Sequence, residues 1–141
     1  IVLCHRDPLE VAFSCYRQWF NQNQQAFSYD LHDMAAFSRD FDRACAHWRG
    51  LHPDRVLDLV YEDLVRDQEG ETRRLLAFCG LDFEAACLMF HANARRVTTI
   101  SASQVREPIR RDTARADQYA ALLDPLRSAL GLPSYMPPSQ G

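Results

Sequence analysis

The chain has 141 residues, a net charge of −3 and 47% hydrophobic residues, which bounds it to a single modest globular core. The slight negative charge excludes a general attraction to nucleic acid or to an anionic membrane surface. All 16 of its cationic residues are arginine, so it holds neither a P-loop lysine nor a Schiff-base lysine, and its cations suit bidentate binding of phosphate or carboxylate where they are not compositional bias.

Ile1 to Cys4 is short, apolar and abruptly ended, the pattern of a buried parallel strand. Asp7-Pro8-Leu9-Glu10 then opens a helix: Asp7 suits the N-cap, Pro8 the first position and Glu10 the third residue of a capping box. Leu9, Ala12, Phe13, Tyr16 and Phe20 continue it as a buried stripe. Residues 21–25 (NQNQQ) read as a polar loop. Met34, Phe37, Phe41, Ala44, Cys45 and Trp48 mark a second helix ending near Gly50 and Pro53. RVLDLVYEDL (55–64) predicts a second strand, covered on both faces, that runs into a turn capped by Asp63. Glu71 to Cys79 predicts a helix closed by Gly80, and Phe83 to His91 predicts another. Residues 93–113 lack periodicity and hold Arg95, Arg96, Arg106, Arg110 and Arg111, the profile of a long functional loop. A last helix spans about 115–130, with Pro125 expected to kink or split it. Residues 133–141 form an irregular Pro-rich tail.

Strands alternating with helices point to an α/β layer architecture. Two strands are too few for a stable α/β sheet. The chain also begins inside an apolar run without an initiator Met. The expectation is therefore a piece of a larger domain whose other strands lie outside it. Five cysteines form no C-x-x-C pair and sit among apolar residues, which predicts buried free thiols in a reducing, cytoplasmic compartment. The five histidines show no metal-ligand spacing. No apolar run has the length of a membrane span.

Two local motifs invite a chemical reading. His5-Arg6-Asp7 matches the start of a kinase catalytic loop, but Pro8 and Ala12 break that pattern and residues 82–84 read D-F-E. Arg6 also falls at a strand-to-helix junction, where unpaired helix N–H groups and an arginine fork can bind phosphate, with the Ser14 hydroxyl two turns on. The plain alternative is a surface ion pair for Arg6 and no role for Ser14. Tyr61 reads equally as a core aromatic at a strand end. Trp19 and Trp48 read as core residues, His5 as structural, and Arg95 and Arg96 as solvated or ion-paired.

Four segments taken together carry a resemblance. RDP-x5-S (6–14), VYEDLVRDQEGETRRLLAFCGLDFE (60–84), RRVTTISASQVREPI (95–109) and YAALLDPL (119–126) resemble, in order, the motifs of sulfotransferases that use 3′-phosphoadenosine 5′-phosphosulfate (PAPS). The likeness is to bacterial members often fused to tetratricopeptide repeats and to tyrosylprotein sulfotransferases. It implies that this chain is the helix-rich C-terminal part of a P-loop-like parallel-sheet domain, without the N-terminal strand, the phosphosulfate loop and the catalytic base. It implies that Arg6 and Ser14 grip the 3′-phosphate, that Tyr61 approaches the adenine, and that Arg106 reaches a cofactor phosphate. Ser101 would act near the transferring sulfuryl group, framed by Gln104, Val105 and Pro108. The implied chemistry moves a sulfuryl group from PAPS to a hydroxyl or amine on a small molecule, glycan or protein side chain, leaving adenosine 3′,5′-bisphosphate (PAP) and using no metal. One departure is Ala116, where the family usually has tryptophan. The alternative from another class is a non-catalytic helical module whose arginines bind an acidic partner.

Overall fold

The computed structural model describes residues 1–18, 20, 25–92, 104–109 and 115–136. They form two compact bodies, each built from two separate stretches of chain. One comprises Ile1–His5 and Leu57–Thr113; the other comprises Arg6–Val56 and Ala114–Gly141.

The first body holds the sheet. Strand β1 (Val2–His5) pairs in parallel with β2 (Leu57–Val60), with Val2 opposite Leu57 and His5 opposite Val60. His5 Nε2 lies 2.6 Å from Asp58 Oδ1, a diagonal cross-strand pair. The structural role expected of His5 is thus met by an aspartate that the strand pattern did not single out. Helix α3 (Tyr61–Arg66) starts directly from β2 with no side-chain cap. Asp63 therefore does not cap the turn; it lies in the first helical turn and pairs with Arg66 at 2.9 Å. Helix α4 (Gln68–Phe78) is capped by Asp67, whose carboxylate accepts from the Gly70 N–H at 2.9 Å.

Gly80 ends α4 as expected, at φ 68°, with Leu81 N–H donating to Leu76 O and Gly80 N–H to Ala77 O. These two bonds satisfy the last carbonyls of the helix in the manner of a Schellman motif. The expected helix over 83–91 is instead a run of 3₁₀ turns, Ala85–Ala92, broken at Met89. A short 3₁₀ turn, Gln104–Arg106, is the other described element of this body. No described residue of this body is fully buried, so β2 is half-buried where full cover was expected.

The second body holds the core. Asp7 caps α1 (Pro8–Tyr16), accepting from the Glu10 N–H at 2.9 Å, with Pro8 in the first turn. A 3₁₀ turn (Ala26–Tyr29) leads into α2 (Leu31–Leu51). Asp30 caps α2 by accepting from His32 and Asp33 N–H, and these backbone bonds hold its carboxyl below the ordinary aspartate value. Pro125 splits the last helix as anticipated, into a 3₁₀ run (Ala116–Leu123) and α5 (Asp124–Ala129). Leu9, Ala12 and Phe13 of α1, Met34 of α2, Ala116 and Leu126 form one buried cluster. Phe13 also packs against Tyr119, ring centroids 4.6 Å apart.

Three sequence expectations give way here. Tyr16 and Trp48 are exposed, because nothing in this body covers the ends of their stripes. Of the five cysteines, all free, Cys45 is buried and Cys15 half-buried, while Cys4, Cys79 and Cys87 are exposed. Apolar neighbours in sequence did not become neighbours in space. Burial pushes the Cys15 thiol up, away from thiolate chemistry. No described helix is long and apolar enough to cross a membrane.

Candidate nucleotide-binding site

Arg6 follows the last residue of β1 and precedes the Asp7 cap, so its backbone is fixed by the start of α1. The α1 N-terminus has little backbone left for an anion. Pro8 has no N–H, and the Glu10 N–H is already taken by the Asp7 carboxylate. Any phosphate at this turn must therefore be held mainly by side chains.

Arg6 is only partly exposed, and its Nη2 lies 3.9 Å from Glu10 Oε2. Ser14 is one turn beyond Glu10 on the same helix and is exposed. Glu10 thus stands between the two residues assigned to the 3′-phosphate. It is 9% exposed, and its carboxylate is occupied elsewhere. Arg115 N–H donates to both its oxygens at 2.9 and 3.0 Å, and Ala116 N–H donates to Oε1 at 2.7 Å. A buried carboxylate needs such donors. They draw its charge toward the start of the 3₁₀ run and leave Arg6 beside it as a counter-ion.

The expected capping-box role of Glu10 is therefore corrected: its carboxylate anchors a segment more than a hundred residues away. A polar side chain at an inward position of α1, beside Leu9, is the signal that could have flagged it; its partner left no local trace.

Tyr61 and Arg106 belong to the other body. Tyr61 is the first residue of α3 and is half-buried; Arg106 ends the 3₁₀ turn Gln104–Arg106 and is exposed. Val105 and Pro108 are exposed as well. Ser101, Arg95 and Arg96, and the side chain of Gln104, lie outside the described residues. Among the described residues no group of three His, Cys, Asp or Glu side chains gathers to hold a metal ion. Several other arginines are engaged on their own helices: Arg43 with Asp40, Arg66 with Asp63, Arg73 with Glu69, and Arg74 with Glu71. Arg74 also donates to the Asp58 carbonyl at 2.8 Å, tying α4 to β2.

A model described as the sulfotransferase family matches residues 1–85. That span includes Arg6, Ser14 and Tyr61 and stops short of the 95–109 block. An uncharacterized protein of Aquifex aeolicus (strain VF5) is 32% identical over 115 residues, covering 80% of this chain. This chain matches 15% of that protein's length. No solved structure matches. With more than half of its residues under the family's pattern, from the β1 strand through the α4 helix and its glycine stop, the chain belongs to the sulfotransferase family.

Proposed function

We propose that this chain supplies the 3′-phosphate-binding side of an enzyme that transfers a sulfuryl group from PAPS to a hydroxyl or amine acceptor. The observation that carries the reading is Arg6, set ahead of the α1 cap beside a buried Glu10 that is locked by three backbone N–H bonds. A guanidinium whose partner cannot swing away is preorganised for a phosphate dianion.

In the proposed reaction the acceptor oxygen or nitrogen attacks sulfur in line. The S–O bond to the 5′-phosphate breaks and PAP departs. The acceptor proton passes to a base supplied from outside these 141 residues. Arg6 and Ser14 hold the 3′-phosphate, Tyr61 meets the adenine, Arg106 reaches a phosphate, and Ser101 donates to the sulfuryl oxygens. Positioning and stabilisation of developing charge supply the rate enhancement. The rest of a P-loop-like sheet and the phosphosulfate loop come from chain beyond this one. Two half-exposed strands are too little sheet to stand as an α/β layer.

The rival interaction module needs arginines available to an acidic partner. The ion pairs of Arg43, Arg66, Arg73 and Arg74 with their own helices favour the enzyme reading.

Nucleotide protection against heat tests the proposal on the longest form of the protein available. PAP should raise the melting temperature more than adenosine 5′-monophosphate does, and Arg6→Ala should weaken PAP binding by about 1.5–3 kcal/mol, the range for hydrogen bonds to charged groups. Equal losses for the two nucleotides would sink the 3′-phosphate assignment.

A further inference from the structure

Among the described residues Glu10 is the only buried charged side chain. Two kinds of donor face it, both within the helix body. The backbone N–H groups of Arg115 and Ala116 make three hydrogen bonds of 2.7–3.0 Å. Arg6 Nη2 stands 3.9 Å from Oε2, close enough for charge attraction and too far for a hydrogen bond. The 3₁₀ run Ala116–Leu123 has no side-chain cap of its own. Glu10 takes that place from α1 and satisfies the first unpaired N–H groups of the run.

The two kinds of donor are alternatives. A buried carboxylate stripped of its hydrogen bonds is costly and draws in a nearby cation. Arg6 is placed to answer: it lies one turn before Glu10 and already approaches Oε2, the oxygen to which the Arg115 N–H donates at 3.0 Å. A guanidinium closed onto Glu10 spends its fork there, and that fork is what a phosphate dianion needs. With the backbone donors in place, Glu10 is satisfied without drawing Arg6 closer.

We infer that Glu10 is a positioning residue for the nucleotide, acting through Arg6. Bound by the Arg115 and Ala116 N–H groups, it leaves the guanidinium to the phosphate; released from them, it captures the guanidinium. The inference rests on the 3′-phosphate reading and adds a dependence on two backbone donors more than a hundred residues away. Affinity for a 3′-phosphate then requires residues 115–116 to be docked on α1. By linkage, the nucleotide strengthens that docking by the same factor, and couplings of this kind span about 5- to 150-fold.

PAP and adenosine 5′-monophosphate, titrated into the form of the protein used for the melting test, supply the measurement. Ala116→Pro removes one N–H donor at the first position of the run, where proline is best tolerated. It should weaken PAP binding at least about fivefold and leave monophosphate binding within about twofold. In a Glu10→Gln protein the same proline should change PAP affinity less than about twofold, because a neutral amide does not capture the guanidinium. A merely structural Glu10 would leave the proline defect in both backgrounds. The unaltered protein gives a second reading that misfolding does not confound. Saturating PAP should slow hydrogen exchange at the Arg115 and Ala116 amides at least about fivefold, saturating monophosphate should not, and Arg6→Ala should abolish the difference. Exchange unchanged by PAP, an Ala116→Pro protein that binds PAP normally, or a proline defect that persists with Glu10→Gln overturns the inference and leaves the 3′-phosphate reading standing. PAP bound no more tightly than the monophosphate by the unaltered protein overturns that reading, and the inference with it.

Discussion

The two bodies differ in what holds them. In the helix body, Leu9, Phe13, Met34 and Leu126 are buried together and Glu10 ties α1 to the 3₁₀ run that precedes α5. In the sheet body no described side chain is fully buried; its order rests on the β1–β2 ladder, the His5–Asp58 pair, the Arg74 bond to the Asp58 carbonyl and the caps of α4. Hydrogen bonds and exposed ion pairs each contribute little net free energy, whereas burial contributes in proportion to the area removed from water. One body is held by burial, the other by local bonds.

Truncating one leucine in each body tests this most directly. Leu126→Ala removes a side chain that is 2% exposed and should destabilise the helix body by about 2–5 kcal/mol. Leu59→Ala, in the half-buried β2, should cost under about 1 kcal/mol in this chain. Denaturant unfolding followed by hydrogen exchange would assign each loss to its body. Comparable losses at the two positions would mean that the sheet body has a core of its own.

Glu10→Ala should come next, at about 2 kcal/mol, because it leaves the buried Ala116 N–H and the neighbouring Arg115 N–H without their acceptor. Glu10→Gln, keeping one carbonyl oxygen, should lose about half as much, and both losses should read out in the protection of α1 and the 116–123 amides. A loss confined to α1 would show that the segment is held by packing instead.

The smallest effect sharpens the account of the sheet body. Gly→Ala inside a helix usually stabilises by about 1 kcal/mol. At Gly70 the new methyl would collide with the Asp67 carboxylate that caps α4. The propensity gain is then offset by loss of the cap, also worth about 1 kcal/mol. Gly70→Ala should therefore yield no rise in melting temperature on its own and a rise of a few degrees when made on top of Asp67→Ala. A gain in the unmodified background would show that the cap contributes nothing.

Where the sequence could be read, the signal was local. Asp7 and Pro8 announce the start of α1, Gly80 the end of α4, and Pro125 the split of the last helix, because each acts through its own backbone dihedrals or its own N–H. Where reading failed, the deciding partner was distant or missing. Nothing around Glu10 indicates Arg115 and Ala116, and Trp48 has helical spacing yet no cover. Arg6 and Ser14 carry no phosphate signal beyond their junction; it is the family's ordered motifs that single them out. The 95–109 block, including Ser101, falls largely outside the described residues.

The Glu10 anchor also constrains the order of events during synthesis. Its acceptor oxygens are made 105 residues before the Arg115 N–H they receive. The whole of 57–113, assigned to the other body, is translated in between. At about 5–20 residues per second, the Glu10 carboxylate waits on the order of ten seconds for its donors, while Met34 of α2 is made early enough to cover part of the α1 apolar face. Contacts of such separation lower folding rates, because a long loop must close before they form. The Glu10 anchor of the helix body therefore closes late, after the strands have had time to pair.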